Sequence, residues 1–257
     1  MLTELKDSCT VSAKDKFFIF LVRIKSGVTI EFLSAVTNVS KTSISRILSS
    51  VIDFVYIKLK AIDIWPSKSQ VLEYMPEAFL RTYPNCRLIL DCTEIAIHKT
   101  SNPRIQQLTF SHYKNKNTLK ALIGITPSGA ICYISDLWCG GISDKKLFLE
   151  SGLLNHLSND TILADRGFLI HKELQKKNCN LVTPHFLKNL IQFSVEEREE
   201  NKKVSNLRVH VERAISRIKK YRYFKGTVPS QCFHEVNRIF FICAFFTNFS
   251  EPLIKIV

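Results

Sequence analysis

The sequence predicts an α/β fold, a mixed sheet flanked by helices, preceded by a small all-α helix-turn-helix module. In the first 60 residues apolar side chains recur at helical spacing, and from residue 87 the pattern changes to period two and short buried runs. Strand-like and helix-like segments then alternate along the chain. We therefore divide the chain into a helical module (1–62), a connector (63–85), an α/β domain (86–249) and a tail (250–257).

The helical module contains three predicted helices, at 14–24, 29–37 and 41–58. Asn38, Val39 and Ser40 separate the last two, with Asn38 able to adopt the left-handed turn and Ser40 the expected N-cap. Two short helices joined in this way form a helix-turn-helix. Its second helix presents small, polar and basic side chains suited to phosphates and base edges: Lys41, Thr42, Ser43, Ser45 and Arg46. The alternative is a helical bundle without a DNA role.

The connector and the α/β domain are delimited by turn residues. Pro66, Pro76 and Pro84 mark the connector, which has one predicted helix at 71–80. The turn Pro127-Ser128-Gly129 predicts a hairpin between the second and third strands. The predicted strands are 87–98 (with or without a bend), 118–126, 130–137, 161–164 and 180–183, and the predicted helices are 144–151, 169–177, 203–224 and 234–249.

Composition excludes several classes of protein. The 257 residues are 46% hydrophobic, which is too apolar for a disordered chain. The longest apolar runs, 17–22 and 239–246, are far shorter than the roughly 20 residues of a membrane span. The N-terminus has no apolar signal region, so we expect a protein that is neither secreted nor membrane-bound. The eight cysteines show no zinc-ligand spacing and are expected to be reduced thiols.

The positive charge indicates a polyanionic partner. Lys and Arg number 36 against 23 Asp and Glu, a net charge of +13, and nucleic acid is the leading candidate. The segment 95–135 contains five basic residues and no acid, and the segment 202–225 contains nine basic residues and a single acid, Glu212. The few acids in these basic surroundings are therefore the more informative residues.

Three carboxylates occupy positions where they could meet. Asp91 ends or interrupts the first strand, Asp165 follows the fourth, and Glu212 lies at the edge of the apolar face of a long helix. If the two strands are neighbours, the three acids share a cleft and need a cation, for which oxygen ligands favour Mg²⁺ or Mn²⁺. Two such ions could support phosphodiester hydrolysis. The alternative is a surface turn at Asp91 and ordinary ion pairs, Asp165 with Arg166 and Glu212 with Arg208.

Five segments resemble a known family in sequence order, across roughly residues 86–249. They are similar to DDE-superfamily endonucleases of the Harbinger-type transposase group, whose catalytic domain has an RNase H-like fold. The segments are Leu90-Asp91-Cys92-Thr93-Glu94, Phe110-Ser111-His112-Tyr113-Lys114-Asn115-Lys116-Asn117-Thr118-Leu119-Lys120, Ser143-Asp144-Lys145, Ala164-Asp165-Arg166-Gly167-Phe168 and Arg208-Val209-His210-Val211-Glu212-Arg213-Ala214-Ile215.

The resemblance implies an RNase H-like core and a divalent-metal-dependent DNA endonuclease or transposase. Asp91, Asp165 and Glu212 align with the family's metal-binding catalytic triad, which implies two Mg²⁺ or Mn²⁺ ions per site. Asp144, Glu94 and Arg166 are candidate accessory residues. The implied substrate is double-stranded DNA. A separate DNA-binding partner protein, a homo-oligomer and nuclear residence (cytoplasmic in a host without a nucleus) are further expectations.

Basic residues near these segments are candidate phosphate contacts. They are Lys114, Lys116, Lys120, Arg213, Arg217, Lys219 and Lys220. The competing function is a host-domesticated DNA-binding protein that keeps the nuclease fold as a scaffold and does not cleave. An RNA-directed nuclease is disfavoured because the helix-turn-helix suits duplex DNA.

Overall fold

The computed structural model describes residues 11–185 and 194–254, beginning with the three predicted N-terminal helices. These are α1 (Ala13–Ser26), α2 (Ile30–Thr37) and α3 (Lys41–Lys60). Ser40 caps α3 by accepting a bond from the Ser43 amide, and Asn38 has a left-handed φ of 54°. The predicted helices and the turn between α2 and α3 are confirmed.

The connector forms two short helices, α4 (Lys68–Glu73) and α5 (Glu77–Thr82). The prediction of one helix over 71–80 is wrong, because Pro76 is extended, supplies no amide for a helical hydrogen bond and restricts the residue before it. The Arg87 guanidinium lies over the ring of Trp65, 5.0 Å from its centroid, and joins the connector to the first strand.

The sheet contains seven strands in the order β2-β3-β1-β6-β7, with β4 and β5 paired to β3. β1 runs antiparallel to β3 and parallel to β6, and β6 runs parallel to β7. The predicted hairpin (β3 with β4) is confirmed, and the first and fourth predicted strands (β1 and β6) are neighbours, which is the condition for the three acids to share a cleft. The strands are β1 (Cys86–Ala96), β2 (Phe110–Ser111), β3 (Lys116–Ile125), β4 (Ile131–Ile134), β5 (Trp138–Cys139), β6 (Thr161–Leu163) and β7 (Asn180–Val182).

Within the described residues, five α-helices accompany the sheet: α6 (Pro103–Thr109), α7 (Asp144–Glu150), α8 (His171–Gln175), α9 (Val195–Lys219) and α10 (Phe233–Phe246). The sequence analysis missed α6 and the two-residue strands β2 and β5, which are too short to show a period. α9 begins before the predicted residue 203 because Ser194 and Glu197 form a capping box. The mixed sheet with flanking helices is consistent with the RNase H-like core that the resemblance implies.

Both faces of the sheet are buried. Leu88 and Leu90 pack into one hydrophobic cluster, whereas Ile89 between them belongs to another on the opposite face. That second cluster continues without interruption into α10 and α3. The helix-turn-helix and the sheet therefore share one core.

Contacts between α3 and α10 hold this shared core together. The rings of Tyr56 and Phe241 meet edge to face at 5.4 Å, and Arg238 pairs with Asp53. Ser49 also donates a hydrogen bond to Glu235. The division into modules stays a prediction, but residues 1–62 do not have a core separate from that of residues 86–249 among the positions described.

Across residues 11–185 and 194–254, no helix has the length and apolarity that crossing a membrane requires. The seven cysteines in these residues are free thiols.

We predict that truncating the core within α3 destabilises the sheet as well. Ile52 is 2% exposed, so Ile52→Ala should cost about 2–5 kcal/mol of unfolding free energy. Trp65 lies in the connector against Arg87 of β1 and Trp138 lies in β5, so denaturant unfolding followed by their fluorescence reports on regions outside the helix-turn-helix. The midpoint should fall for Ile52→Ala and stay unchanged for Ile57→Ala, whose side chain is 63% exposed. If Ile52→Ala leaves the midpoint of the tryptophan-fluorescence transition unchanged, a shared core is contradicted.

Candidate active site

A cleft of about 580 Å³ opens where β1 and β6 face α9. Strands β1 and β3, helices α7 and α9, and the loops before β3 and after β6 supply its charged side chains, and acids and bases are mixed along its walls. Its acidic members are Asp91, Glu94, Asp144, Asp165 and Glu212, and its basic members are Lys114, Lys120, Arg208 and Lys219.

The pairing of β1 with β6 brings Asp91 and Asp165 together. Ile89 of β1 is aligned with Leu163 of β6 in parallel register. Asp91 and Asp165 each follow two residues later, so they lie beside each other. Asp91 stays in the sheet opposite Ile123 of β3, whereas Asp165 lies beyond the carboxyl end of β6. The position at the end of a parallel strand is where ligands bind in such sheets.

Glu212 reaches the same cleft from α9. Val211 and Ile215 are buried against the core, and Glu212 at the edge of this apolar face is exposed and lines the cleft. This is the arrangement predicted from the helical period. The structure thus places all three predicted catalytic carboxylates on one cleft.

Arg208 is a site residue that the sequence analysis did not select. Its Nη1 donates to Asp165 Oδ1 at 3.1 Å, so the alternative pairing with Glu212 is replaced by one across the cleft. The Arg208 side chain is only 10% exposed, and its buried Nε has no hydrogen-bond partner among the residues that the structure describes. The available signal was its position one helical turn before Glu212 on the same face.

Asp91 shows how unfavourable the negative charge in the cleft is. Burial, supplemented by the charges of Asp165 and Glu212, raises the pKa of Asp91 to about 6. Arg208 and the hydrogen bond from the Cys92 amide (2.9 Å) oppose this shift without cancelling it. A further cation would therefore stabilise the ionised form.

Lys120 occupies the inner wall of the cleft. It lies opposite Glu94 in the β1–β3 pairing, and its Nζ is 3.0 Å from Asp144 Oδ1 and 3.7 Å from Glu94 Oε1. Burial opposes the charged form, but Asp144 and Glu94 outweigh it and raise the pKa of Lys120. The side chain is 13% exposed. Lys120 therefore neutralises two acids within the protein. This role differs from the DNA phosphate contact predicted for it.

The candidate accessory residues have different positions. Glu94 and Asp144 line the cleft beside Lys120, and Glu94 also accepts a hydrogen bond from Thr118 at 2.8 Å. Asp144 lies so close to the loop after β6 that a Cβ at Gly167 would be 2.7 Å from its Oδ2. A side chain at residue 167 would therefore displace the Asp144 carboxylate. Arg166 is half-buried and is not among the residues that line the cleft.

The donor set suits a hard divalent cation, since its ligands are carboxylate oxygens. Asp91, Asp165 and Glu212 face one cleft, and the raised pKa of Asp91 marks uncompensated negative charge between them. Among the described residues, however, no three His, Cys, Asp or Glu side chains stand close enough together to hold an ion as they are. The Arg208 guanidinium holds Asp165 instead. The chemistry of the site fits a metal ion, and its geometry is that of an open, unassembled site.

The predicted DNA-contacting residues fall on several surfaces. Lys41, Thr42, Ser43 and Arg46 are exposed at the start of α3, and Lys41 is 3.7 Å from Glu31. Lys114 and Lys219 line the cleft, and Lys116 lines a neighbouring pocket. Arg213 and Lys220 are exposed on α9 and at its end. Arg217 instead donates to the Glu251 carbonyl and faces the C-terminal segment.

Two family models match the chain. Residues 90–248 match the model described as DDE superfamily endonuclease, and residues 9–61 match the helix-turn-helix of DDE superfamily endonuclease. No match to a curated protein was found. The first model covers more than half of the chain and includes all three cleft carboxylates. The finer, Harbinger-type assignment stays a prediction. The chain belongs to the DDE superfamily endonucleases.

Proposed function

We propose that the chain is a divalent-metal-dependent DNA endonuclease that cuts phosphodiester bonds with Asp91, Asp165 and Glu212. The observation that carries this proposal is the convergence of these carboxylates, from β1, the loop after β6 and α9, on one cleft. Asp91 and Glu212 lie on elements that are anchored in the core, and Asp165 follows the buried strand β6 by two residues, so the fold sets their relative positions. In a transposase the same cleft would also serve attack of the freed 3′-hydroxyl on target DNA.

The three carboxylates would hold Mg²⁺ or Mn²⁺, two ions in the full site. Such ions supply Lewis-acid stabilisation of the charge that develops on the phosphodiester oxygens and lower the pKa of water. Asp91 would contribute its charged form, which is unfavourable in the free protein. Arg208 would balance the charge of Asp165 until the site is loaded. Lys120 keeps Asp144 and Glu94 neutralised beside the reacting groups.

Lysines and the helix-turn-helix would hold the DNA. Lys114 and Lys219 stand on the walls of the cleft, where phosphates of a bound strand would pass. The exposed start of α3, with Lys41, Thr42 and Arg46, would enter a groove of the duplex. Because α3 packs on α10, the DNA-reading helix and the cleft would act as one body.

Removing one carboxylate of the triad should abolish most of the cleavage. With Mg²⁺ or Mn²⁺ and supercoiled plasmid DNA, or duplexes that carry the ends of the parent element, Asp165→Asn and Glu212→Gln should each slow cutting by at least about 100-fold. Glu199→Gln, an exposed carboxylate on the same helix, is the matched control and should cut like the wild type. Nicking rates on agarose gels measure the effect.

Wild-type rates in Asp165→Asn or Glu212→Gln would overturn the assignment of the site. If the wild-type protein binds DNA and does not cut it with either metal ion, the endonuclease proposal fails. The alternative function would then be supported: a DNA-binding protein that keeps the nuclease fold as a scaffold and does not cleave.

Arg46→Ala tests the DNA-reading role of α3. Loss of one phosphate or base contact should weaken DNA binding and lower the slope of log K against log salt by about 1. Arg81→Ala removes an equal charge from the exposed helix α5 and should leave the slope unchanged. Fluorescence anisotropy at several salt concentrations measures both. Equal slopes for Arg46→Ala and the wild type would contradict contact with DNA at the start of α3.

The raised pKa of Asp91 makes stability depend on pH. The folded protein holds this proton more tightly than the unfolded chain does, so the contribution to stability is complete below pH 4 and is lost as the pH rises through about 6. Without metal, Asp91→Asn should therefore raise the unfolding free energy at pH 7.5 by about 1–3 kcal/mol, and by much less at pH 4. Denaturant unfolding in EDTA, followed by tryptophan fluorescence, measures this.

The metal ion should reverse that ranking. Mg²⁺ or Mn²⁺ at pH 7.5 should stabilise the wild type and Glu199→Gln but should stabilise Asp91→Asn far less, since binding of the ion to the folded state is lost. If Asp91→Asn is no more stable than the wild type in EDTA at pH 7.5, the unfavourable buried charge of Asp91 is contradicted.

A further inference from the structure

A second pocket, of about 380 Å³, adjoins the cleft between the end of β1, the start of β3 and the segment after α9. We call it the side pocket. Lys114, Lys116 and Lys219 stand around it, and Ile95, Ala96 and Phe224 form an apolar wall. Glu94, Lys114 and Lys219 also line the cleft, so the two spaces share a wall.

The rim of the side pocket has an excess of positive charge. Partial burial against the wall lowers the pKa of Lys219, and the neighbouring ammonium groups of Lys114 and Lys116 lower it further. Asp91 and Glu94 act in the opposite direction without restoring the ordinary pKa. In the part of the chain that the structure describes, none of the three lysines forms an ion pair; Lys114 lies over the ring of Tyr113, at 4.5 Å. Glu94 also lines the side pocket, but it pairs with Lys120 and accepts from Thr118, so the three lysines are left short of an anion.

The wall of the side pocket has a different character. Ile95 is 3% exposed, and Phe224 is held by edge contacts with the rings of Tyr223 and Phe240, at 5.4 and 5.9 Å. A duplex backbone that passes over lysines needs no such apolar wall. A ligand that is both anionic and flat would satisfy the rim and the wall together, and the volume falls in the range of pockets for small ligands. A nucleotide has these two parts, and bases pack against aromatic side chains in single-strand sites.

We propose that the side pocket binds one unpaired nucleotide of the DNA strand, next to the phosphodiester that lies in the cleft. Lys114, Lys116 and Lys219 take its phosphate, and its base packs against Ile95 and Phe224. This inference rests on the proposed function, since it assigns the substrate strand its path out of the cleft. It implies that the enzyme prefers DNA in which a nucleotide beside the cut is already unpaired, because extruding a paired base costs free energy.

The test compares two duplexes of one arbitrary sequence that contain the fluorescent base 2-aminopurine, either fully paired or unpaired in a single-nucleotide bulge. Binding is measured in EDTA, so that cleavage plays no part. The wild type should bind the bulged duplex about 5-fold or more tightly than the paired one, and should protect its 2-aminopurine from quenching by acrylamide.

Two variants remove the side pocket by different means. Lys116→Ala takes away a rim charge that does not line the cleft, and Ala96→Leu fills the space beside the wall. Both should lose the preference for the bulged duplex and the protection of its base, while affinity for the paired duplex changes by less than about 3-fold, as expected for the loss of one phosphate contact or none. Lys172→Ala, which removes an exposed charge on α8 outside both spaces, should keep preference and protection. Lys116 is exposed, so its truncation does not touch the core.

The outcomes separate this inference from the proposed function. Equal affinity of the wild type for both duplexes, or equal weakening of both by Lys116→Ala, overturns the nucleotide pocket even if the protein cuts DNA with Mg²⁺. Preference and protection that depend on Lys116 and Ala96 support the pocket even if the wild type proves unable to cut. Absence of DNA binding overturns both.

Discussion

The parallel pairing of β1 with β6 is the constraint on which the site depends. It aligns Ile89 with Leu163 and so brings Asp91 and Asp165 to the same end of neighbouring strands. α9 then needs only to pack its apolar face on this sheet for Glu212 to meet them. Ionising Asp91 there is costly, chiefly because it is buried and further because two like charges are near, and the raised pKa of Asp91 records this cost. Burial of apolar side chains on both faces of the sheet offsets this unfavourable free energy.

Two cations within the chain divide the acids of the cleft into two groups. Lys120 neutralises Asp144 and Glu94 on the inner wall, with its ammonium almost fully enclosed. Arg208 pairs with only one oxygen of Asp165, which is itself half exposed, and so leaves Asp91 and Glu212 short of positive charge. The protein is thus internally balanced where its acids are structural and underbalanced where a divalent cation would bind. The side pocket has the opposite imbalance, and DNA would supply the charge it lacks.

Features governed by local sequence could be predicted, and those governed by distant contacts could not. Ser40 and Asn38 indicated the helix-turn-helix in the sequence, because helix capping and left-handed turns depend only on neighbouring residues. The helical period placed Glu212 correctly at the edge of α9, and the resemblance supplied the family. The bond of Arg208 to Asp165 joins residues 43 apart, and that of Lys120 to Asp144 joins residues 24 apart. Each depends on the assembled sheet, as does the sharing of one core by α3 and α10.

Binding of Mn²⁺ tests most directly whether the three carboxylates form one site. Electron paramagnetic resonance of free Mn²⁺ gives the affinity of the wild type, of Asp91→Asn, of Glu212→Gln and of the double variant. A single shared site predicts tight binding that each single substitution weakens by at least about 10-fold, with little further loss in the double variant. Losses that add independently, or tight binding that survives either substitution, would contradict it.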